Sequence, residues 1–141
     1  MNRTILTTIA LTLTIALPAQ ALRPSEVPAL VYKQIPTLPT ENQYINKETK
    51  KVDKDNTLVS RLMRYHLYLK GRPASYRLDW KLTIADYLGV NDIMDEATYP
   101  SREKLKTNPM EGDRKAIQSL SRSDRDALVQ TMTDLFNQPR R

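Results

Sequence analysis

One histidine and no cysteine occur in the chain, and that limits the chemistry its side chains can perform. His66 is the natural candidate for acid–base work or metal binding, because imidazole titrates near neutral pH. It sits at the edge of an apolar helical face, with no Cys and no second His to share a metal, so it reads as a packed, hydrogen-bonded side chain. Asp79, Thr83 and Asp86 recur at helical spacing and bring two carboxylates to one face. Paired carboxylates serve a glycosidase only when they flank the substrate at a set separation. Acids on a single helical face are read more simply as solvated, or as partners of Arg61, Arg64 or Arg77. Asp53 and Asp55 begin like a calcium loop, but Leu58 takes the position that needs glycine and Arg64 the position of the bidentate acid. Asp92, Asp95 and Glu96 fit no such loop and are read as acids near a helix start. No glycine-rich phosphate loop, zinc-protease helix or nucleophile elbow occurs, and the absence of Cys removes thiol catalysis, thiolate metal sites and covalent haem. No cofactor or metal is expected.

The stretch that stands out is RLMRYHLYLKGRPASYRLDWK, residues 61–81. Arg61, Arg64, Lys70, Arg72, Arg77 and Lys81 alternate there with Tyr65, Tyr68, Tyr76 and Trp80. Cations interleaved with aromatics can hold phosphates and stack on bases. They can equally meet an acidic protein face or anionic lipid headgroups. Tyr65 and Trp80 also suit a core, with the cations solvating the shell around it.

Four helices must position these residues. The first runs from about Thr57 to Lys70, where Leu58, Leu62, Tyr65 and Leu69 follow one helical face and Gly71 and Pro73 end it. The second runs from about Ser75 to Leu88. Trp80, Ile84, Tyr87 and Leu88 form its stripe, with Leu78, Leu82 and Ala85 beside it and the polar Asp79, Thr83 and Asp86 opposite. A short helical piece is expected near Asp92–Ala97. Asn108, Pro109 and Glu111 mark the start of the next helix, with Met110, Ile117 and Leu120 facing inward. Ser121 or Ser123 caps the last, whose apolar residues are Leu128, Val129, Met132, Leu135 and Phe136.

Upstream the composition changes. Residues 1–21 carry Arg3, then an apolar run ending at Pro18, then Ala19-Gln20-Ala21, which is the pattern of a cleavable signal peptide. The leader holds one charge, so a net charge of +6 becomes +5 on its removal. No apolar run beyond it is long enough to span a bilayer. Residues 22–55 hold Pro24, Pro28, Pro36 and Pro39, which bias the backbone towards extended geometry. They are expected to form an extended arm carrying Val31 and Tyr32, followed by a polar linker over residues 46–56. The expected architecture is a mainly α, small bundle of three to five short helices over residues 56–138, behind that proline-rich arm.

The blocks DNTLVSRLMRYHLYLKGRP, RLDWKLTIADYLGVND and TNPMEGDRKAIQSL resemble a group of small exported proteins from cyanobacteria, over most of residues 53–136. The resemblance implies a periplasmic or thylakoid-lumen setting and carries no catalytic residue over. The segment from Leu120 is similar to the closing helix of small cytochromes c, but haem attachment there needs a C-x-x-C-H motif and no Cys is present. The expected role is non-catalytic: docking on an acidic protein or an anionic membrane surface, through Arg61, Arg64, Tyr68, Arg72, Tyr76, Arg77, Val31 and Tyr32. Nucleic acid is not expected as a partner of an exported chain. The alternative expectation is a cell-envelope hydrolase or glycan-binding module using Asp79 and Asp86.

Overall fold

The computed structural model describes residues 22–139; the expected leader, residues 1–21, lies outside them. The protein is mainly helical. Five α-helices occur among the described residues: α1 (Val27–Gln34), α2 (Leu58–Arg64), α3 (Arg77–Tyr87), α4 (Met110–Ser119) and α5 (Arg122–Asn137). Helix α2 runs on without a break into a π-helical turn, Tyr65–Leu69, where Lys70 N–H reaches back to the Tyr65 carbonyl. None of these helices is long and apolar enough to cross a membrane.

Most helix ends follow from local chemistry. Thr57 accepts from Ser60 N–H to start α2, and Ser121 accepts from Asp124 N–H to start α5. Asn108 Oδ1 accepts from Met110 N–H ahead of α4. Helix α3 ends in a two-bond closure: Gly89 N–H bonds the Asp86 carbonyl and Val90 N–H bonds the Ala85 carbonyl. That closure needs a left-handed residue, and Gly89 supplies it at φ +74°. Residues 92–97 are irregular, ending in a turn at 96–98, and do not form the expected helical piece.

The proline-rich arm is the main departure. Residues 24–26 form a 3₁₀ turn and residues 27–34 an α-helix, where an extended segment was expected. Pro24 and Pro28 fall in first turns, where a missing N–H has no helical partner to lose. Only before Pro36 does the backbone open out, at Ile35 (φ −127°, ψ 75°). Helix α1 packs on α2 and α5, with Val27 and Val31 fully buried, so the arm belongs to the same core as the bundle.

Helix α5 lies against α1 and α3, and α3 also meets α4. The shared interior contains Leu58, Leu62, Tyr65, Trp80, Ile117 and Met132. Leu62 is among the residues expected to form it, and at about 25 cal/mol per Å² of apolar area such burial is the main force holding the helices. The loop over residues 35–57 is tied down by isolated antiparallel bridges, Ile45 with Val52 and Asn46 with Leu105. At Gly112 on α4, a Cβ would overlap the Tyr44 hydroxyl, so glycine is what lets this loop press against the helix.

Candidate functional site

The residues of the basic, aromatic segment separate into an interior set and a surface set. Arg61 heads the interior set and is fully buried. Its Nε and Nη2 donate to the two oxygens of Asp113, each at 2.7 Å. The guanidinium also donates to the Asn56 carbonyl, to Asn56 Oδ1 at 3.1 Å and to the Glu41 carbonyl at 2.6 Å, and it lies over the Tyr44 ring. Every donor direction is taken, so Arg61 joins α2, α4 and the 35–57 loop and presents nothing to a partner. Asp113 also accepts from Tyr99 at 2.6 Å, and Tyr99 is bonded in turn to Tyr87 at 2.7 Å. Because the carboxylate can only accept, the hydroxyls are ordered Tyr87 to Tyr99 to Asp113.

Arg72 belongs to the interior set too. Its Nη1 donates to Asp86 at 2.6 Å and to Thr83 at 2.9 Å, and its side chain is 11% exposed. Asp86 is buried and also accepts from Tyr65, Asn91 and Asp92 N–H. Burial raises its carboxyl, but these donors outweigh burial and hold it below the ordinary carboxylate range. Its lone pairs are all engaged, which leaves it none for acid–base exchange with a substrate; Asp79, two turns earlier on the same face of α3, is half-buried. His66 is packed, as its sequence setting suggests: its ring stacks on Trp80 with centroids 3.5 Å apart. The Pro73 carbonyl can only accept, so Nε2 carries the proton and Nδ1 accepts from Thr83. Burial lowers its pKa to about 4, with the nearby Arg72 charge acting in the same sense against the Pro73 hydrogen bond. Val31 is likewise interior, and Tyr32 is half-buried with its hydroxyl donating to the Pro39 carbonyl.

The surface set is Tyr68, Tyr76 and Arg77, all exposed, with the half-buried Arg64 at its edge. Arg64 stands between two concave regions. One, of about 640 Å³, is walled by Pro24, Pro28, Tyr32, Met63 and Tyr68. The other, of about 360 Å³, is bordered by Tyr68, Leu69, Pro100 and Lys104. Arg64 and Tyr68 line both. Arg64 Nη1 donates to Ser101 Oγ at 2.7 Å, and Ser101 Oγ donates to Asn56. Ser101 is buried and held at φ +71°, a conformation that a residue with a Cβ takes only under constraint.

Helix α3 carries the second exposed feature. Thr83 and Asp86 face inward beside Trp80, Ile84 and Tyr87, while Leu78 and Leu82, expected beside the buried stripe, face solvent. The inversion has a local cause. The π turn of residues 65–69 sends Tyr65 and His66 into the core, and their polar atoms need Asp86 and Thr83 opposite. Leu78 (69% exposed), Leu82 and Ala85 then run along the outer face at i, i+4 and i+7, and the closure at Gly89 sets Val90 (75% exposed) over the Ala85 end. Arg77 and Lys81 share that face. Apolar periodicity sets Leu78 and Leu82 beside the buried stripe, because spacing alone does not reveal which of two adjacent stripes a polar network claims.

Compared with known proteins, the chain matches no family model, no curated protein and no solved structure.

Proposed function

We propose that the protein is an exported, non-catalytic docking protein that binds an acidic partner protein through the outer face of α3. The observation that supports this reading is the inverted helix: polar side chains turned inward, and Leu78, Leu82 and Val90 turned to water beside Arg77 and Lys81. A large apolar side chain in water is ordinary when single, but a stripe along one helix rimmed by charge marks a contact surface. The i, i+4, i+7 spacing is that of a helix laid into a partner's groove, and the cations favour acid at its rim. A protein groove is preferred to an anionic bilayer because the stripe is short and narrow, Leu78, Leu82 and Ala85 on a helix that spans only Arg77–Tyr87, with Val90 just beyond its end. The setting that goes with this reading is the periplasm or the thylakoid lumen.

The test is chemical cross-linking of the tagged protein in its native compartment, comparing wild type with Leu78→Ser/Leu82→Ser and Arg77→Glu/Lys81→Glu. The expected result is one acidic partner lost in both variants, with the wild-type complex weakening as salt rises. Cross-links that persist in both variants would refute the docking face. Flotation with phosphatidylglycerol vesicles, abolished by the same substitutions, would move the assignment to a membrane. Sedimentation of a dimer that the leucine variants dissociate would move it to a second copy of the chain.

A further inference from the structure

We infer a second binding site, centred on Arg64 and Tyr68, that takes an extended peptide through a side-chain or terminal carboxylate flanked by an apolar residue. It shares no residue with the α3 face and does not rest on the docking reading.

Four observations converge on it. Arg64 has no ion pair among the described residues, whereas Arg61, Arg72 and Arg114 each have a carboxylate. Its one hydrogen bond fixes Nη1 to Ser101 and leaves the other edge of the guanidinium without a protein acceptor. That fork suits a carboxylate, which accepts two parallel N–H bonds. Lys54 and Lys104 match Asp55 and Glu103 in number along the two concave regions, so Arg64 is the uncompensated charge between them.

The second observation is the anchoring. Ser101 is held in the left-handed region, buried, and bonded to Asn56, which also holds Arg61. The surface cation is thus fixed through the interior ion-pair network, and a guanidinium placed in advance loses less freedom on binding. The third is the π turn that begins immediately after Arg64 and carries Tyr68 outward to 72% exposure. Turns of this kind cost regular hydrogen bonding and recur at functional sites. The fourth is size and lining. The larger region, about 640 Å³, falls within the range of ligand sites, and Pro24, Pro28, Tyr32 and Met63 give it apolar walls. A prolyl and tyrosyl wall with one fixed cation suits an extended chain that sets a carboxylate on Arg64 and its neighbouring apolar side chain against Tyr32 and Met63.

The experiment selects a random decapeptide phage library on the immobilised full chain, then measures dansylated winners by fluorescence anisotropy. Enrichment of Asp or Glu beside an apolar residue is expected. Arg64→Gln should weaken binding about tenfold or more, the worth of a hydrogen bond to a charged group. Tyr68→Ser changes a side chain already in water, and it should also weaken binding while leaving the thermal melt unchanged. Leu78→Ser/Leu82→Ser should bind as wild type, which separates this site from the docking face. Winners without acidic enrichment, or binding indifferent to Arg64→Gln, would overturn the proposal. Decanoate binding that depends on Arg64, with no peptide selected, would overturn the peptide assignment.

Discussion

Arg61 and Arg64 stand three residues apart on one helix, and the structure gives them opposite situations. Arg61 is enclosed, bidentate to Asp113 and bonded to two backbone carbonyls. Arg64 reaches a single serine and opens onto two concave regions. The difference is made by residues far away in sequence: Asp113 is 52 positions from Arg61, and no acid is delivered to Arg64. A cation's role here is set by the fold that meets it and not by its neighbours in the chain. The same division runs along the whole segment, with Tyr65 and His66 on the inner side and Tyr68 on the outer.

The largest effect separating the two sides should come from Arg61→Met. It leaves Asp113 and two carbonyls buried without their donor, and breaking a buried pair costs about 3–5 kcal/mol. A urea melt of Arg61→Met beside Arg61→Met/Asp113→Leu sharpens the point, since removing both charges should restore at least about 1 kcal/mol. A double variant no more stable than the single one would mean that the loop contacts, and not the ion pair, dominate.

Next in size is a pH effect confined to the inner side. The folded pKa of His66 is about 4 and its unfolded value near 6.5. Below 6.5 the unfolded chain takes up a proton that the folded one refuses. The stability that neutral His66 confers is therefore complete above 6.5 and lost progressively as pH falls to 4. The loss should reach about 2–3 kcal/mol by pH 4.5, at 1.36 kcal/mol per unit. Urea midpoints between pH 7 and 4.5 measure it, and His66→Gln should flatten the slope. The smallest effect belongs to the outer side. Arg64→Met removes one hydrogen bond and should change stability by less than about 1.5 kcal/mol. A larger loss would place Arg64 with Arg61 as a structural cation.

Much of the fold was legible in the sequence for physical reasons that stay local. Helix α5 combines a serine cap with apolar residues at 3.6-residue spacing, and α4 starts one residue beyond the expected position, with Pro109 as the cap residue, Asn108 Oδ1 accepting from Met110 N–H and no capping box from Glu111. The elements that were misread needed long-range information. Prolines 24 and 28 carry the same residue-level bias whether they begin a helix or stiffen a strand-like arm, and α1 is helical because Val27 and Val31 find α2 and α5 to cover them. On α3 the sequence offers two apolar stripes, and the choice falls to His66, Tyr65 and Arg72, whose polar atoms draw Thr83 and Asp86 inward. Of the site residues, Tyr68, Tyr76 and Arg77 were legible as surface groups, while Arg61, Arg72 and Val31 were not separable from them without their partners. Ser101, which fixes Arg64, gave no signal at all, because a left-handed serine has no sequence mark.

The ordered hydroxyls of Tyr87 and Tyr99 above Asp113 have one more implication. Burial first, and then the neighbouring carboxylates, push the ionisation of Tyr65, Tyr87 and Tyr99 upward, so these phenols are harder to charge in the folded chain than in water. Base then favours the open chain over the folded one. Phenolate absorbance from these three rings is expected to rise together with the loss of the folded core, an optical marker of the unfolded population.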